Sequence, residues 1–340
     1  MLETIKINKS TRINLRNFAL NLLKSYGIYF AFIGFFVYLS FSSPHFLTTG
    51  NLITVMRQVS VSGILACGLT MILIQGDIDL SFGSLLTVIG FVIAVLQGAT
   101  TVGGKIAELP LVLAFLISML VGVIVALING VIITRLSVNP FIITLGMMTI
   151  LKGVALVISG GQSVSGLKAN YASLGNMSFF GIPAIFIIFL IVALLSWFLL
   201  NKTRLGRYVY AIGGNVQAAY LSGVPIANIR IIVFVIMGVL TFVSAAILTS
   251  RLNSATPLAG DPYLMDVIAA CVIGGTSLSG GNGNIPGTVL GVIFLGIINN
   301  GLNLMSVPSA YQYIAKGLII AIAVIIDASK VKVEGQYVRQ

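Results

Sequence analysis

Ten apolar runs divide this chain, and their succession constrains its fold more than any other feature. A helix that spans a membrane needs about 20 apolar residues. Only 8% of the residues are charged and 58% are hydrophobic, whereas soluble domains carry about 25% charged residues. The pattern predicts an all-α polytopic membrane protein with about ten transmembrane helices, at Gly27–Phe41, Val59–Gln75, Leu80–Gln97, Leu111–Ile133, Phe141–Ser159, Ile182–Leu200, Ile229–Ser250, Leu264–Ile273, Ile285–Asn300 and Tyr311–Asp327.

Several of these runs are too short for a straight span, and Leu264–Ile273 is the extreme case. At about 1.5 Å of rise per residue it crosses roughly half of the hydrocarbon layer. Irregular backbone at membrane depth is tolerated only where it is packed in protein or lines water. We therefore expect some helices to be broken or discontinuous.

The distribution of Lys and Arg predicts the orientation. With ten spans and a cytoplasmic N-terminus, 13 of the 19 basic residues fall in the tails and loops on the cytoplasmic side. This predicts a cytoplasmic tail at 1–25, a transmembrane domain at 26–328 and a second cytoplasmic tail at 329–340. The net charge of +11 forms no basic patch interleaved with aromatic residues, so it does not indicate a nucleic-acid partner.

A polar stretch, Gln75–Ser84, lies between two apolar runs and holds Asp77 and Asp79, two of only 8 acidic residues. A charge at the centre of the bilayer costs on the order of 2.5–3.5 kcal/mol. One interpretation is a break between membrane helices at a transport path or gate, formed by Asp77, Asp79 and Ser81. The other is a hydrophilic turn at the membrane surface. A proton or sodium relay through the two carboxylates would make the protein an ion-coupled secondary carrier.

A second Gly/Ser-rich stretch, Gly274–Gly287, is similar in sequence pattern to Gln75–Ser84 and forms a possible internal repeat with it. Shifting the chain by 204 residues places Gly76 on Gly280 and Asp77 on Gly281, and an apolar helix follows both stretches. Interrupted segments at corresponding positions of two halves indicate a transport path. The predicted topology puts both breaks on the cytoplasmic side, as a parallel repeat. The alternative is chance similarity between glycine-rich apolar segments.

Other polar residues in or beside the apolar runs are Asn139, Thr144, Asn299 and Asn300. Amides and hydroxyls can hydrogen-bond the hydroxyls of a sugar, but they also join helices to each other. Both interpretations remain open, and the four residues are candidates for the translocation path.

No catalytic, cofactor or metal site is expected. The chain has no G-x-x-x-x-G-K-[ST] phosphate loop, no H-E-x-x-H, no C-x-x-C pair and no plausible Ser/His/Asp set. The single histidine, His45, has no partner motif, and Cys67 and Cys271 lie in apolar runs. We interpret the two cysteines as free packing residues.

The longest predicted cytoplasmic loop, 201–228, looks ordered. Asn215 can cap a short helix at Val216–Leu221, which Gly223 and Pro225 would terminate. Such a helix suits contact with a soluble partner, and an ordinary amphipathic loop is the alternative.

Five blocks in order carry a resemblance to a known family. They are PHFLTTGNLITVMRQVSVSGILACGLTMILIQGDIDLSFGS, NPFIITLGMMTILKGVALVISGGQ, TRLGRYVYAIGGNVQAAYLSGV, SRLNSATPLAGDPYLMDVIAACVIGGTSLSGGNGNIPGT and GIINNGLNLMSVPSAYQYIAKGLIIAIAVIID. The chain resembles the permease subunits of ATP-binding-cassette importers for monosaccharides, most closely the ribose branch. The family commonly has two glycines, or Ser-Gly, where Gly76-Asp77 stands, so Asp79 matches the family and Asp77 departs from it.

The resemblance implies a non-catalytic permease in the bacterial inner (plasma) membrane. Its implied partners are a double-module ATP-binding-cassette ATPase, an extracytoplasmic sugar-binding protein and a second permease copy or paralogue. Thr203–Pro225 looks like the loop that couples the permease to the ATPase, which favours contact with a partner. The implied coupling residues are Arg204, Gly214, Asn215, Ala218, Leu221 and Gly223. Alternatives are a permease for another sugar or a sugar-like signalling molecule, the ion-coupled carrier, and a scaffold that transports nothing.

Overall fold

The structure, a computed structural model, describes residues 33–101, 104–105, 108–318 and 321. Within these ranges helices dominate, and they are numbered here in chain order: α1 Ile33–Ser42, α2 Thr49–Ile74, α3 Phe82–Leu96, α4 Leu111–Arg135, α5 Pro140–Ser159, α6 Ala169–Leu174, α7 Ala184–Lys202, α8 Arg204–Gly214, α9 Val216–Leu221, α10 Ile226–Leu252, α11 Asp261–Ile273, α12 Ile285–Leu304 and α13 309–318.

Strands of two residues each form three small antiparallel pairs in the loops. β1 (Thr100–Thr101) pairs with β2 (Gly104–Lys105), β3 (Val164–Ser165) with β6 (Ser254–Ala255), and β4 (Ser178–Phe179) with β5 (Ile182–Pro183).

Six helices in the described part are long and apolar enough to cross a membrane, namely α2, α4, α5, α7, α10 and α12. This confirms an all-α polytopic membrane protein. The count of ten transmembrane helices remains a prediction, because α3 has 15 residues and α11 has 13. The predicted tails at 1–25 and 329–340, and parts of the first and last predicted spans, lie outside the described residues.

Helix α2 forms the centre of the bundle. In its most apolar stretch 83% of the residues are buried, against 22% in α4, 17% in α5 and 28% in α7. It packs against α7, α10, α11 and α12. The outer helices expose large apolar side chains such as Ile142, Val157 and Leu194, as expected of helices whose outer faces contact lipid.

Several predicted helix bounds were wrong, each for a local reason. Helix α2 begins ten residues before Val59, because the Thr48 hydroxyl caps it by accepting a hydrogen bond from the Asn51 N–H. Helix α11 begins at Asp261 rather than Leu264, with proline in its first turn. Residues 182–183, predicted to be helical, form β5 instead.

Candidate functional site

Both Gly/Ser-rich stretches are real interruptions between helices, and both begin in the same way. At the end of α2, the N–H of Gly76 donates to Leu73 O at 2.9 Å and the N–H of Asp77 donates to Ile72 O at 3.1 Å. At the end of α11, Gly275 donates to Val272 O and Thr276 to Cys271 O, both at 2.9 Å. These are Schellman motifs, which need a left-handed residue, and Gly76 and Gly275 have φ of 85° and 88°.

The two interruptions, called here the first break (residues 75–81) and the second break (residues 274–284), differ in length. Their left-handed glycines are 199 residues apart, whereas the N-caps of the following helices, Ser81 and Asn284, are 203 apart. The shift of 204 therefore comes within one residue of the starts of α3 and α12 but differs by five residues from the spacing of the glycines that end α2 and α11. The structural counterpart of Gly76 is Gly275 and not Gly280, because the second break has four more residues.

The two breaks touch each other at one end of the bundle. The N–H of Gly281 donates a 2.8 Å hydrogen bond to Ile74 O. A Cβ on Gly280 would lie 2.9 Å from the Cα of Gly76, so only glycine fits there without displacement. Helices α2 and α11 both run towards this contact, and α3 and α12 run away from it.

Helix α8 lies against both breaks. A Cβ on Gly213 would overlap Ile74 O and lie 2.5 Å from the nitrogen of Gly281. The Tyr210 hydroxyl donates to Gly283 O at 2.7 Å. Burial raises the pKa of Tyr210, so the phenol remains a protonated donor. Any displacement of α8 therefore acts on the backbone of both interruptions.

Helix α9 lies where the sequence predicted a short capped helix, at Val216–Leu221. The Asn215 side chain accepts from the N–H of Ala218 at 2.9 Å, and Gly223 has a left-handed φ of 77°. Tyr220 and Leu221 are 66% and 77% exposed. The predicted coupling residues Arg204, Gly214, Asn215, Ala218, Leu221 and Gly223 are all exposed on this segment.

The first break is held by its own polar residues and by side chains of two neighbouring helices, α4 and α5. Asp79 is 4% exposed, and its Oδ1 accepts hydrogen bonds from the N–H of Ser81 at 2.7 Å and from its hydroxyl at 2.6 Å. Asn129 on α4 donates to that hydroxyl at 3.0 Å, and the Thr144 hydroxyl donates to Ile78 O at 3.2 Å. These bonds fix the irregular backbone in place of helical hydrogen bonds.

Asp77 lies beside this network and is 1% exposed. Its Oδ2 accepts from the Gln75 amide at 2.8 Å and lies 3.4 Å from Nε of Arg230. The ion pair is long and is not a hydrogen bond. Arg230 keeps one fifth of its side chain exposed, so the two partners differ in their access to solvent.

The remaining predicted path residues lie elsewhere. Asn139 is an exposed N-cap of α5, where it accepts from the N–H of Phe141 at 2.9 Å. Asn300 exchanges two hydrogen bonds with Asn51, at 2.7 and 2.9 Å, which join α12 to α2. Asn299 donates to Asp266 at 3.0 Å. The structure thus groups Asp77, Asp79, Ser81 and Thr144. Asn139 lies about one helical turn from Thr144 but forms its hydrogen bond with Phe141, and Asn299 and Asn300 contact Asp266 and Asn51 instead.

A cavity of about 520 Å³ lies at the other end of the bundle, and we call it the mouth cavity. Gln58 precedes Ile74 by 16 residues, which places the mouth cavity about 24 Å along α2 from the breaks. Asp266 forms an ion pair of 2.9 Å with Lys316. The lining residues are Thr54, Arg57, Gln58, Ser62, Leu248, Arg251, Leu252, Ala259, Pro262, Tyr263, Asp266 and Lys316.

The sequence analysis did not select the charged residues of this cavity. The sequence contains a pattern that could have predicted this ion pair, because Asp266 lies inside the eighth apolar run and Lys316 inside the tenth. Opposite charges in two apolar runs indicate a buried pair. Among the described residues, no group of three or more His, Cys, Asp or Glu side chains is placed to hold a metal ion.

Comparison with known proteins identifies the family. The family model for the permease component of the branched-chain amino acid transport system matches residues 51–324. The ribose import permease protein RbsC of Bacillus subtilis is 41% identical over 304 residues, covering 88% of this chain and 92% of that protein. The D-allose transport system permease protein AlsC of Escherichia coli is 38% identical over 312 residues, covering 92% of this chain and 93% of that protein.

The L-arabinose transport system permease protein AraH of Escherichia coli is 37% identical over 317 residues, covering 90% of this chain and 91% of that protein. No solved structure matches the chain. The chain belongs to this family of transport permease components and is a multi-pass integral protein of the bacterial inner membrane. The resemblance to permease subunits of monosaccharide importers is confirmed.

Proposed function

We propose that this chain forms the translocation path of an ATP-binding-cassette importer whose cargo is a monosaccharide, namely ribose. The matching family model is described for the branched-chain amino acid transport system. The relatives at 37–41% identity over most of the chain are named for ribose, allose and arabinose. The ribose permeases are 40–41% identical to this chain and favour ribose over the other two sugars.

The proposed topology has ten membrane helices, both termini in the cytoplasm and the α8–α9 segment on the cytoplasmic side. Exposed basic residues at the α8–α9 end include Arg135, Lys202, Arg204 and Arg207. At the opposite end, three lysines are neutralised by acidic partners, in the pairs Lys152–Asp261, Lys168–Glu108 and Lys316–Asp266, and the two arginines of the mouth cavity leave a smaller positive charge there. An excess of unpaired positive charge on one side supports a cytoplasmic location of that side.

The contact between α8 and both breaks carries the mechanism. Helix α9 offers exposed apolar side chains to a soluble partner, and Gly213 and Tyr210 of α8 contact the backbone of the two interruptions. The ATPase subunits move α9 when they bind and hydrolyse ATP, and α8 transmits that movement to the ends of α2 and α11. The path, completed by a second permease copy or paralogue, then opens to one side at a time.

The free energy for this change comes from the partners. A ligand shifts a conformational equilibrium only by its difference in affinity for the two states. ATP and the sugar-loaded extracytoplasmic binding protein supply that difference, so the permease needs no tight sugar site. An ion-coupled carrier is not favoured, because Asp79 is engaged by Ser81 and Asp77 by Gln75 and Arg230.

Reconstitution into proteoliposomes tests this proposal. The chain, its ATP-binding subunit and the sugar-binding protein should together import ribose when ATP is present. The chain alone should neither hydrolyse ATP nor accumulate ribose. Uptake by the chain alone, driven by a proton or sodium gradient, would instead establish a secondary carrier.

A further inference from the structure

We propose that the mouth cavity is a sugar site of the permease itself, in which one neutral monosaccharide rests after it leaves the binding protein. This inference rests on the proposed function and assigns a place in the chain to the cargo. The volume of about 520 Å³ is within the 300–1,000 Å³ typical of small-molecule sites.

The lining offers the hydrogen-bonding groups that a polyhydroxylated ligand needs. Each sugar hydroxyl both donates and accepts, and the cavity has carboxylate, amide, hydroxyl and guanidinium groups in Asp266, Gln58, Tyr263 and Arg57. Nε of Arg57 is buried and forms no hydrogen bond in the described structure. Such an unsatisfied group costs about 1–3 kcal/mol, and a ligand that reached it would recover part of that cost.

The mouth cavity contains three cations, Arg57, Arg251 and Lys316, and one carboxylate, Asp266. Lys316 is already paired with Asp266, at 2.9 Å. Arg251 directs one N–H to the backbone oxygen of Arg57, at 3.1 Å. The Asp266 carboxylate lies on the cavity wall, where it can accept hydrogen bonds from hydroxyl groups, and the arginine N–H groups can donate to them.

A second, much smaller cavity of about 10 Å³ lies on the side of the mouth cavity towards the breaks. It shares Gln58, Ser62 and Asp266 with the mouth cavity and is also lined by Ala270 and Gly296, between α2, α11 and α12. Beyond that point the route is closed by the Thr70 and Thr288 hydroxyls, which are hydrogen-bonded at 2.7 Å. A molecule in the cavity can therefore advance only when these three helices separate. Two of them, α2 and α11, end at the breaks that α8 contacts.

Two substitutions in the complete importer test the site. Ser62→Leu reduces the space, and Gln58→Met keeps the side-chain length but removes the amide. We expect each to lower ATP-dependent ribose uptake at least tenfold, while the affinity for the loaded binding protein and the ATPase rate it stimulates stay within twofold of wild type. Ser42→Leu, the same change at an exposed residue outside the cavity, should leave uptake unchanged.

The experiment separates failure of the proposed function from failure of the proposed sugar site. Absence of ATP-dependent uptake by the wild-type importer would refute the proposed function. Unchanged uptake in both variants would refute the site alone. A parallel loss of affinity for the binding protein would make the cavity a docking surface for that protein and would overturn the inference.

Direct binding supplies a second measurement. Saturation-transfer NMR on the purified chain in nanodiscs should detect D-ribose bound to the wild type and to Ser42→Leu but not to Ser62→Leu. Ribose 5-phosphate is the control for an anion site and should compete no more strongly than ribose. Stronger competition by the phosphate would identify an anion site and contradict the proposal.

Discussion

The amide of Gly281 donates a 2.8 Å hydrogen bond to the carbonyl oxygen of Ile74, and so joins the second break to the last residue of α2. Gly213 of α8 packs against both partners of this bond. Three segments that are far apart in the chain therefore meet at one point without any side chain between them. Close backbone contact of this kind tolerates little change in volume.

Substitution at Gly213 should show this intolerance. Gly213→Ala puts a methyl group against the Ile74 carbonyl oxygen, and overpacking of this kind costs about 1–3 kcal/mol. We expect a clear fall in thermal stability, measured by fluorescence-detected size exclusion of the heated detergent-solubilised protein. Gly214→Ala is the matched control, because its Cβ would meet no atom within 4 Å. Equal melting temperatures for the two variants would contradict the packing argument.

A charge on α9 should uncouple ATP hydrolysis from transport. Leu221 is 77% exposed, so Leu221→Glu removes no packing within the chain but places a carboxylate on the proposed contact with the ATPase. We expect normal expression and loss of more than 90% of ribose uptake in proteoliposomes, with ATPase no longer stimulated by the binding protein. Ala218→Glu should behave alike, and Leu221→Met should retain coupling. Full uptake in both charged variants would show that α9 has no coupling role.

At Asp79 the two proposed roles make opposite predictions. If its task is to accept hydrogen bonds from Ser81, Asp79→Asn keeps an acceptor oxygen and should retain ATP-dependent uptake within a few fold. Asp79→Ala leaves the Ser81 groups unsatisfied, at a cost of about 1–3 kcal/mol, and should lower thermal stability. Complete loss of transport in Asp79→Asn, with stability intact, would favour an ion-relay role instead.

Substitution of the two partners of the Asp77–Arg230 pair should have unequal effects on the stability of the protein. Removing the cation leaves a carboxylate that is 1% exposed without a countercharge, whereas Arg230 retains some solvent access. Loss of one partner of a buried pair costs about 3–5 kcal/mol, so Arg230→Gln should destabilise the protein more than Asp77→Asn. The double variant should recover stability relative to Arg230→Gln. A double-mutant cycle of melting temperatures checks this, and additive effects would argue against direct coupling.

Local features of the fold were predictable because their causes are local. Asn215 and Gly223 bound α9 through a cap and a left-handed residue, and both signals are readable in the sequence. The breaks were visible as glycine and serine between apolar runs. The alignment of the first break with the second could not be predicted correctly, because the four additional residues of the second break lie in a glycine-rich loop without a distinctive pattern.

The mouth cavity depends on contacts that no local pattern shows. Lys316 and Asp266 are 50 residues apart, and Arg251 reaches the backbone of Arg57 across 194 residues. Arg57 and Gln58 were assigned outside the second span because polar residues interrupt its hydrophobicity, although they lie within α2. Arg57 and Gln58 can belong to α2 because α10, α11 and α13 surround the start of that helix.

Burial of the two cysteines has a practical consequence for measuring these motions. Cys67 and Cys271 are the only cysteines of the chain, both are free, and neither side chain is exposed. A maleimide probe applied to the native protein has no accessible thiol to modify. A cysteine introduced at Leu221 can therefore carry a fluorophore or spin label without prior removal of the natural thiols of this chain, and the movement of α9 can be followed in an otherwise unaltered permease subunit.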